Sequence, residues 1–141
     1  MDVVDVIHRH PDLHSLSLAI ANADFIPLLR NMKENFTLFA PNDDAFYPEH
    51  LDTIINDKTE TFEILSRHKI VGHGRFTTDK FEKGVLITIN NYSSGLIALF
   101  RNETTDVITA IEHAGESKYR TIVERDIHAS NGVIHIIDGV L

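Results

Sequence analysis

Cysteine is absent from these 141 residues, which excludes disulfides and thiolate metal sites and leaves the redox compartment unmarked. Basic runs are absent too: 13 Lys and Arg against 21 Asp and Glu give a formal charge of -8, a field that repels nucleic acid and anionic lipid. The longest strictly apolar run is Leu96-Ile97-Ala98-Leu99-Phe100, far short of the roughly 20 residues that span a bilayer. The opening ten residues lack the basic, apolar and small-residue zones of a secretory leader, so the chain is expected to be intracellular or the excised body of something larger. There is no G-x-S-x-G elbow and no glycine-rich phosphate loop. Ser130 beside His128 and His135 reads as a turn residue, and Asp43-Asp44 as a helix start that serves the dipole. No catalytic constellation and no cofactor site is expected.

What is present suits one folded domain over residues 1–141. The composition, 43% hydrophobic and 24% charged, is that of a globular protein, and a chain of this length buries roughly two thirds of its unfolded surface. The first half reads helical. Val3, Val4 and Ile7 share a face behind an Asp2 cap; Pro11 opens a segment carrying Leu13, Leu16 and Ile20; residues 24–31 add one more turn. Residues 36–41, FTLFAP, alternate as a strand that Pro41 ends. Asn42 caps the next helix, Leu51, Ile54 and Ile55 give the following turns an apolar side, and Asp57 with Glu60 resembles a capping box. The helix after it carries Ile64, Leu65 and His68 on one face.

From residue 75 the period changes to two. Segments 75–81, 85–91, 96–102, 106–113, 119–127 and 132–138 are separated by turn chemistry at 82–84, 91–95, 102–105, 113–118 and 128–131, which predicts an antiparallel meander. Helices first and strands afterwards predict an α+β fold.

Histidine and asparagine carry the remaining signals. His135 lies inside an alternating apolar strand and His68 on an apolar helix face, where an unpaired imidazole would cost about 1 to 3 kcal/mol. Both are therefore expected to be hydrogen-bonded, in a small polar group with Asn131 at the helix–sheet seam. His8, His10 and His14 cluster, but only His10 and His14 have i, i+4 spacing and Pro11 interrupts it, so no metal site is expected. Asn35, Asn91 and Asn102 each open an N-glycosylation triplet; about one would occur by chance.

Three segments resemble the fasciclin, or FAS1, domain: residues 36–46, FTLFAPNDDAF; residues 63–72, EILSRHKIVG; and residues 129–141, ASNGVIHIIDGVL. Their order and spacing match one module spanning the whole chain. The resemblance implies a wedge-shaped, antiparallel β-sheet assembly with N-terminal helices packed on it. It also implies a non-enzymatic adhesion or matrix-attachment module, extracellular or at the cell surface, binding a protein, a glycan or weakly itself through surface loops. Asp126-Ile127 matches the Asp-Ile pair implicated in integrin binding by animal members, which implies a contact there; the other reading of the same two residues is that Ile127 points inward and Asp126 caps the turn. Arg67-His68 stands where many members have Tyr-His, which weakens the case for an integrin partner. The alternative use within the family is as a carrier of an apolar, carotenoid- or lipid-like molecule in a groove between helices and sheet.

Overall fold

A computed structural model describes residues 1–112 and 118–141. Within them, six helices and seven strands run in the order α1 (Val3–Arg9), α2 (His14–Asn22), α3 (Ile26–Leu29), β1 (Phe36–Pro41), α4 (Asp43–Phe46), α5 (Leu51–Asn56), α6 (Lys58–His68), β2 (Lys69–Ile70), β3 (Leu86–Asn90), β4 (Leu96–Arg101), β5 (Ile108–Glu112), β6 (Lys118–Ala129) and β7 (Gly132–Ile137). The fold is α+β, as the two hydrophobic periods require. Local chemistry sets several helix starts. Asp2 and Asp5 form a reciprocal capping box on α1, Asn42 accepts from the Ala45 N–H, and Asp57 accepts from the Glu60 N–H.

The strands form one sheet in the order β2-β1-β7-β6-β5-β4-β3. Every neighbouring pair is antiparallel except β1 and β7, which run parallel from Phe36 opposite Gly132 to Pro41 opposite Ile137. The sheet bends along β6. The first part of this twelve-residue strand, to Thr121, pairs with β5; from Ile122 it pairs with β7, and register shifts between Ile122 and Glu124 and between Glu124 and Ile127 interrupt that second ladder. The two sheet ends then meet. Ile70 bridges Asn91, the Val71 N–H donates to the Asn90 carbonyl (3.1 Å) and the Tyr92 N–H to the Lys69 carbonyl (2.7 Å).

This bend creates two cores. On one face of β1 and β7, Leu38, Ala40, Ile134 and Ile136 meet the helices through residues such as Val3, Ile7, Leu16, Ile20 and Leu65. On the other, Phe39 and Ile137 fill the interior of the wedge with Phe76, Phe81, Ile89, Ile97, Leu99 and Ile108. Both strands are buried along their whole length, which explains why FTLFAP and GVIHII are apolar beyond strict alternation.

The expected strand at 75–81 does not form. Thr78–Lys80 makes a 3-10 turn, and both Phe76 and Phe81 enter the wedge core, where their rings lie 4.8 Å apart. Ile55, expected on the apolar side of α5, is exposed, while Ile54 is buried. The turn expected at 113–118 lies, but for Lys118, outside the described residues. No helix of the described residues is long and apolar enough to cross a membrane.

Candidate functional site

His68, Asn131 and His135 are all buried, but they do not bond to one another. Each closes a different seam, because the bent sheet puts β7 between two cores and α6 at its far side. His68 ends α6; its Nδ1–H donates to the Ile64 carbonyl (2.7 Å) and its Nε2 accepts from the Leu141 N–H (2.9 Å). The Arg67 Nε–H donates to the Leu141 carbonyl beside it (3.1 Å). Asn131 sits in the β6–β7 turn. Its Oδ1 accepts from the Val3 N–H, the first residue of α1 (2.9 Å), and its Nδ2 donates to the Leu29 carbonyl at the end of α3 (2.7 Å). One amide thus satisfies orphan groups of two helix termini.

His135 points into the wedge between Phe39 and Phe81, whose ring centres lie 5.8 and 6.1 Å away. Its Nδ1 accepts from the Asp126 N–H (3.1 Å), which leaves Nε2–H to donate to the Phe76 carbonyl (2.8 Å). The two histidines are therefore opposite tautomers, each neutral. Burial dominates both: it lowers the pKa of His68 to about 3 and lowers that of His135 as well.

Asp126 occupies the second irregularity of β6 with a left-handed backbone, φ 57°. One carboxylate oxygen accepts from the Thr78 N–H (2.8 Å) and the other from the Thr78 hydroxyl. Partial burial works to raise its pKa, but these bonds outweigh it and hold the carboxyl below the usual range. The 4.0 Å approach of Asp126 Oδ1 to His135 Nδ1 joins two acceptors and is not an ion pair. Ile127 turns the other way and packs, partly buried, against the helical core. Part of the Asp126 side chain, 31%, remains open to solvent.

Several partners of this site carry no local sequence signal. Arg75 reaches the β6–β7 turn and donates to the carbonyls of Ala129 (2.8 Å), Ser130 (3.0 Å) and Gly132 (2.8 Å). The buried Thr37 hydroxyl donates to the Gly74 carbonyl and accepts from the Phe76 N–H, both at 2.8 Å. A polar residue inside FTLFAP was the one available hint. Among the described residues, no buried side-chain nitrogen or oxygen lacks a partner.

The remaining candidates lie apart. His8, His10 and His14 bond to Ser17, Glu124 and Asp43 respectively; among the described residues no three His, Asp or Glu are placed to hold a metal ion. Of the triplet asparagines, Asn35 is exposed and Asn102 half-buried. Asn91 is buried, and its Oδ1 accepts from the Gly95 N–H (2.8 Å). A concavity of about 380 Å³ beside α6 is lined by Glu63, Arg67, Asn91, Ser93, Glu112 and Lys118. An apolar one of about 240 Å³ at Ala23, Lys58, Thr59 and Phe62 is smaller than the roughly 300 Å³ at which small-molecule pockets begin.

The profile of the fasciclin domain matches residues 11–141. The chain is a member of the fasciclin domain family. Fasciclin-1 of Drosophila melanogaster is 27% identical over 117 residues, which is 79% of this chain and 17% of that protein. An uncharacterized protein of Synechocystis sp. is 27% identical over 143 residues, 99% of this chain and 96% of that one. The fold resembles that of a FAS1 domain pair from the insect cell adhesion molecule fasciclin I, with a TM-score of 0.80 at 19% identity, over the whole of this chain and 50% of that one. The fasciclin domain thus spans a small part of one relative and nearly all of another. Its FTLFAP and GVIHII segments are the parallel central pair, and the histidine of the second segment is the one held between Asp126 and Phe76.

Proposed function

We propose that this fasciclin domain is a non-enzymatic adhesion or matrix-attachment module working outside the cell or at its surface. The observation that carries the reading is the family match over residues 11–141, with an animal relative described as a cell adhesion molecule. The interior supports it. The buried polar side chains His68, Asn131 and His135 bond to the chain's own backbone, as groups that hold a fold together do. Recognition of a protein, a glycan or a second copy is then the work of the exposed surface. Within it, the open part of the Asp126 carboxylate is the proposed contact, while Ile127, turned to the helical core, holds the strand that presents it.

Surface-immobilised protein tests this reading, with attachment of cells or of matrix-coated beads as the measurement. Attachment to the folded domain, lost on thermal unfolding, is the expected result. Absence of attachment across cells and matrices sinks the proposal. Asp126→Asn keeps the volume and one acceptor for Thr78 while removing the charge. Reduced attachment by that variant, with an unchanged melting curve at pH 7, places the contact at Asp126; unchanged attachment removes it from the surface.

A further inference from the structure

The outward side of β3–β6 faces away from the wedge core and from the helices beyond it, and its side chains follow from the pairing. One row runs Leu86, Phe100, Thr109, Thr121 and the next Thr88, Ala98, Ile111, Tyr119, with Asn90 and Leu96 beyond them. No charged side chain occurs in these rows among the described residues, although the protein carries -8. Leu86, Leu96 and Tyr119 are 59%, 54% and 65% exposed. Exposed apolar side chains scattered singly are ordinary; gathered on one flat face they mark an interaction surface.

From this face we infer that the domain associates with a second copy of itself, sheet against sheet, about a two-fold axis passing near Ile111. Three observations select a copy of this chain as the occupant. The first is charge. Residues 1–68, which supply every helix, hold twelve acidic and five basic residues and therefore -7 of the -8; face-to-face pairing of the sheets keeps both acidic halves on the far sides, with no like charges across the contact.

The second is relief. Ala98 lies low in its row, 1% exposed and closed over by its neighbours, whereas Tyr119 in the same row stands out at 65%. They sit two strands apart with Ile111 between them. A two-fold rotation at Ile111 brings each Tyr119 ring over the low ground at the partner's Ala98, so that the two protruding rings do not meet each other.

The third is size. Four strands of about five residues cover roughly 15 to 20 Å in each direction. Two such faces bury no more than about 1,200 Å², the lower end for specific interfaces, which suits a weak and concentration-dependent pair. The inference names the partner within the adhesion reading and rests on it. Solution mass tests it without an adhesive surface, so a domain that adheres while remaining monomeric overturns this inference and leaves that reading standing.

Sedimentation equilibrium is the primary experiment. The average mass of the wild type should rise from 15.9 kDa towards twice that value between about 10 μM and 1 mM, the range suited to an interface of this size. Leu96→Glu with Tyr119→Glu, both at exposed sites, should weaken association at least tenfold with the melting curve retained. The chain has no cysteine, so Ile111→Cys gives an independent check even if the charged variant fails to fold. A thiol on the axis should form a covalent dimer on mild oxidation, whereas Leu18→Cys on exposed α2 should not. A constant 15.9 kDa, association indifferent to the charged pair, or equal cross-linking by the Leu18→Cys and Ile111→Cys variants each overturns the inference. So does a monomer that binds neutral phosphatidylcholine vesicles, which would give the face to lipid.

Discussion

Acidification should loosen the end of α6 before carboxylates enter the balance. His68 accepts the Leu141 N–H at Nε2 and donates from Nδ1 to Ile64. Protonation would set a second N–H against the Leu141 donor inside a fully enclosed site, and burial accordingly holds its pKa at about 3. In the unfolded chain the value is about 6.5. The folded pKa is thus depressed, so the stabilising contribution is complete above about pH 6.5 and erodes as pH falls through 6.5 towards 3. At pH 5 the unfolded state lies 1.5 pH units below its pKa while the folded ring stays neutral; at about 1.36 kcal/mol per unit, the loss is about 2 kcal/mol. That figure changes little for any folded pKa below about 4. Such a loss lowers the melting temperature by about 6 to 10 °C in a domain of this size. Urea melts at pH 7 and pH 5 measure it, compared with His68→Gln, whose amide offers one donor and one acceptor but does not titrate. The variant should be weaker at pH 7 by about 1 to 2 kcal/mol and should lose about 2 kcal/mol less than the parent on acidification. Parallel pH dependence in the two proteins would refute the reasoning.

Asn131→Ala strands the Val3 N–H and the Leu29 carbonyl in a buried seam and should cost about 2 to 4 kcal/mol in urea melts; a loss under 1 kcal/mol would show that water replaces the amide. Gly132→Ala would drive a Cβ into the Phe36 carbonyl oxygen across the parallel pair, so the soluble folded yield or melting temperature should fall more than for the same change at the open Gly72 site. Expressed through a secretory pathway, the protein should carry a glycan at exposed Asn35 and none at buried Asn91; intact mass after Asn35→Gln and Asn91→Gln decides, with a drop only in the first. Asp126→Ala removes both acceptors of Thr78 and should cost about 1 to 3 kcal/mol by thermal melting, so adhesion by this variant is interpretable only at temperatures where it remains folded.

The α+β class and most elements were legible because they rest on local spacing: the Asp2, Asn42 and Asp57 caps lie within three residues of the groups they satisfy. His135 stood out as polar within an apolar strand, yet its partners are backbone atoms of Phe76 and Asp126, and any residue could supply those. The segment 75–81 alternates like a strand, but its turn is fixed by a carboxylate 48 residues away in sequence, a force invisible to periodicity. His68, Asn131 and His135 could be read as buried polar groups, but not as three separate clasps. That distinction depends on which strand lies in the middle of the sheet, and alternation within a strand says nothing about its neighbours. The uncharged outer face has the same origin: each of its strands alternates, and only the pairing shows Leu86, Leu96 and Tyr119 on one side.

The parallel pairing of β1 with β7 dictates when the domain can become complete during synthesis. Phe36–Pro41 leaves the ribosome early, but its partner on one edge is Gly132–Ile137, so about ninety residues must follow before that ladder exists. Until then Phe36, Leu38 and Phe39 have a vacant edge beside them, and loop closure of this length is slow compared with the hairpins of β3–β6. The meander should therefore assemble first and the helical half dock last, when β7 slides between β1 and β6. A nascent chain halted before residue 132 would display an apolar strand with one edge open, the kind of surface that chaperones hold.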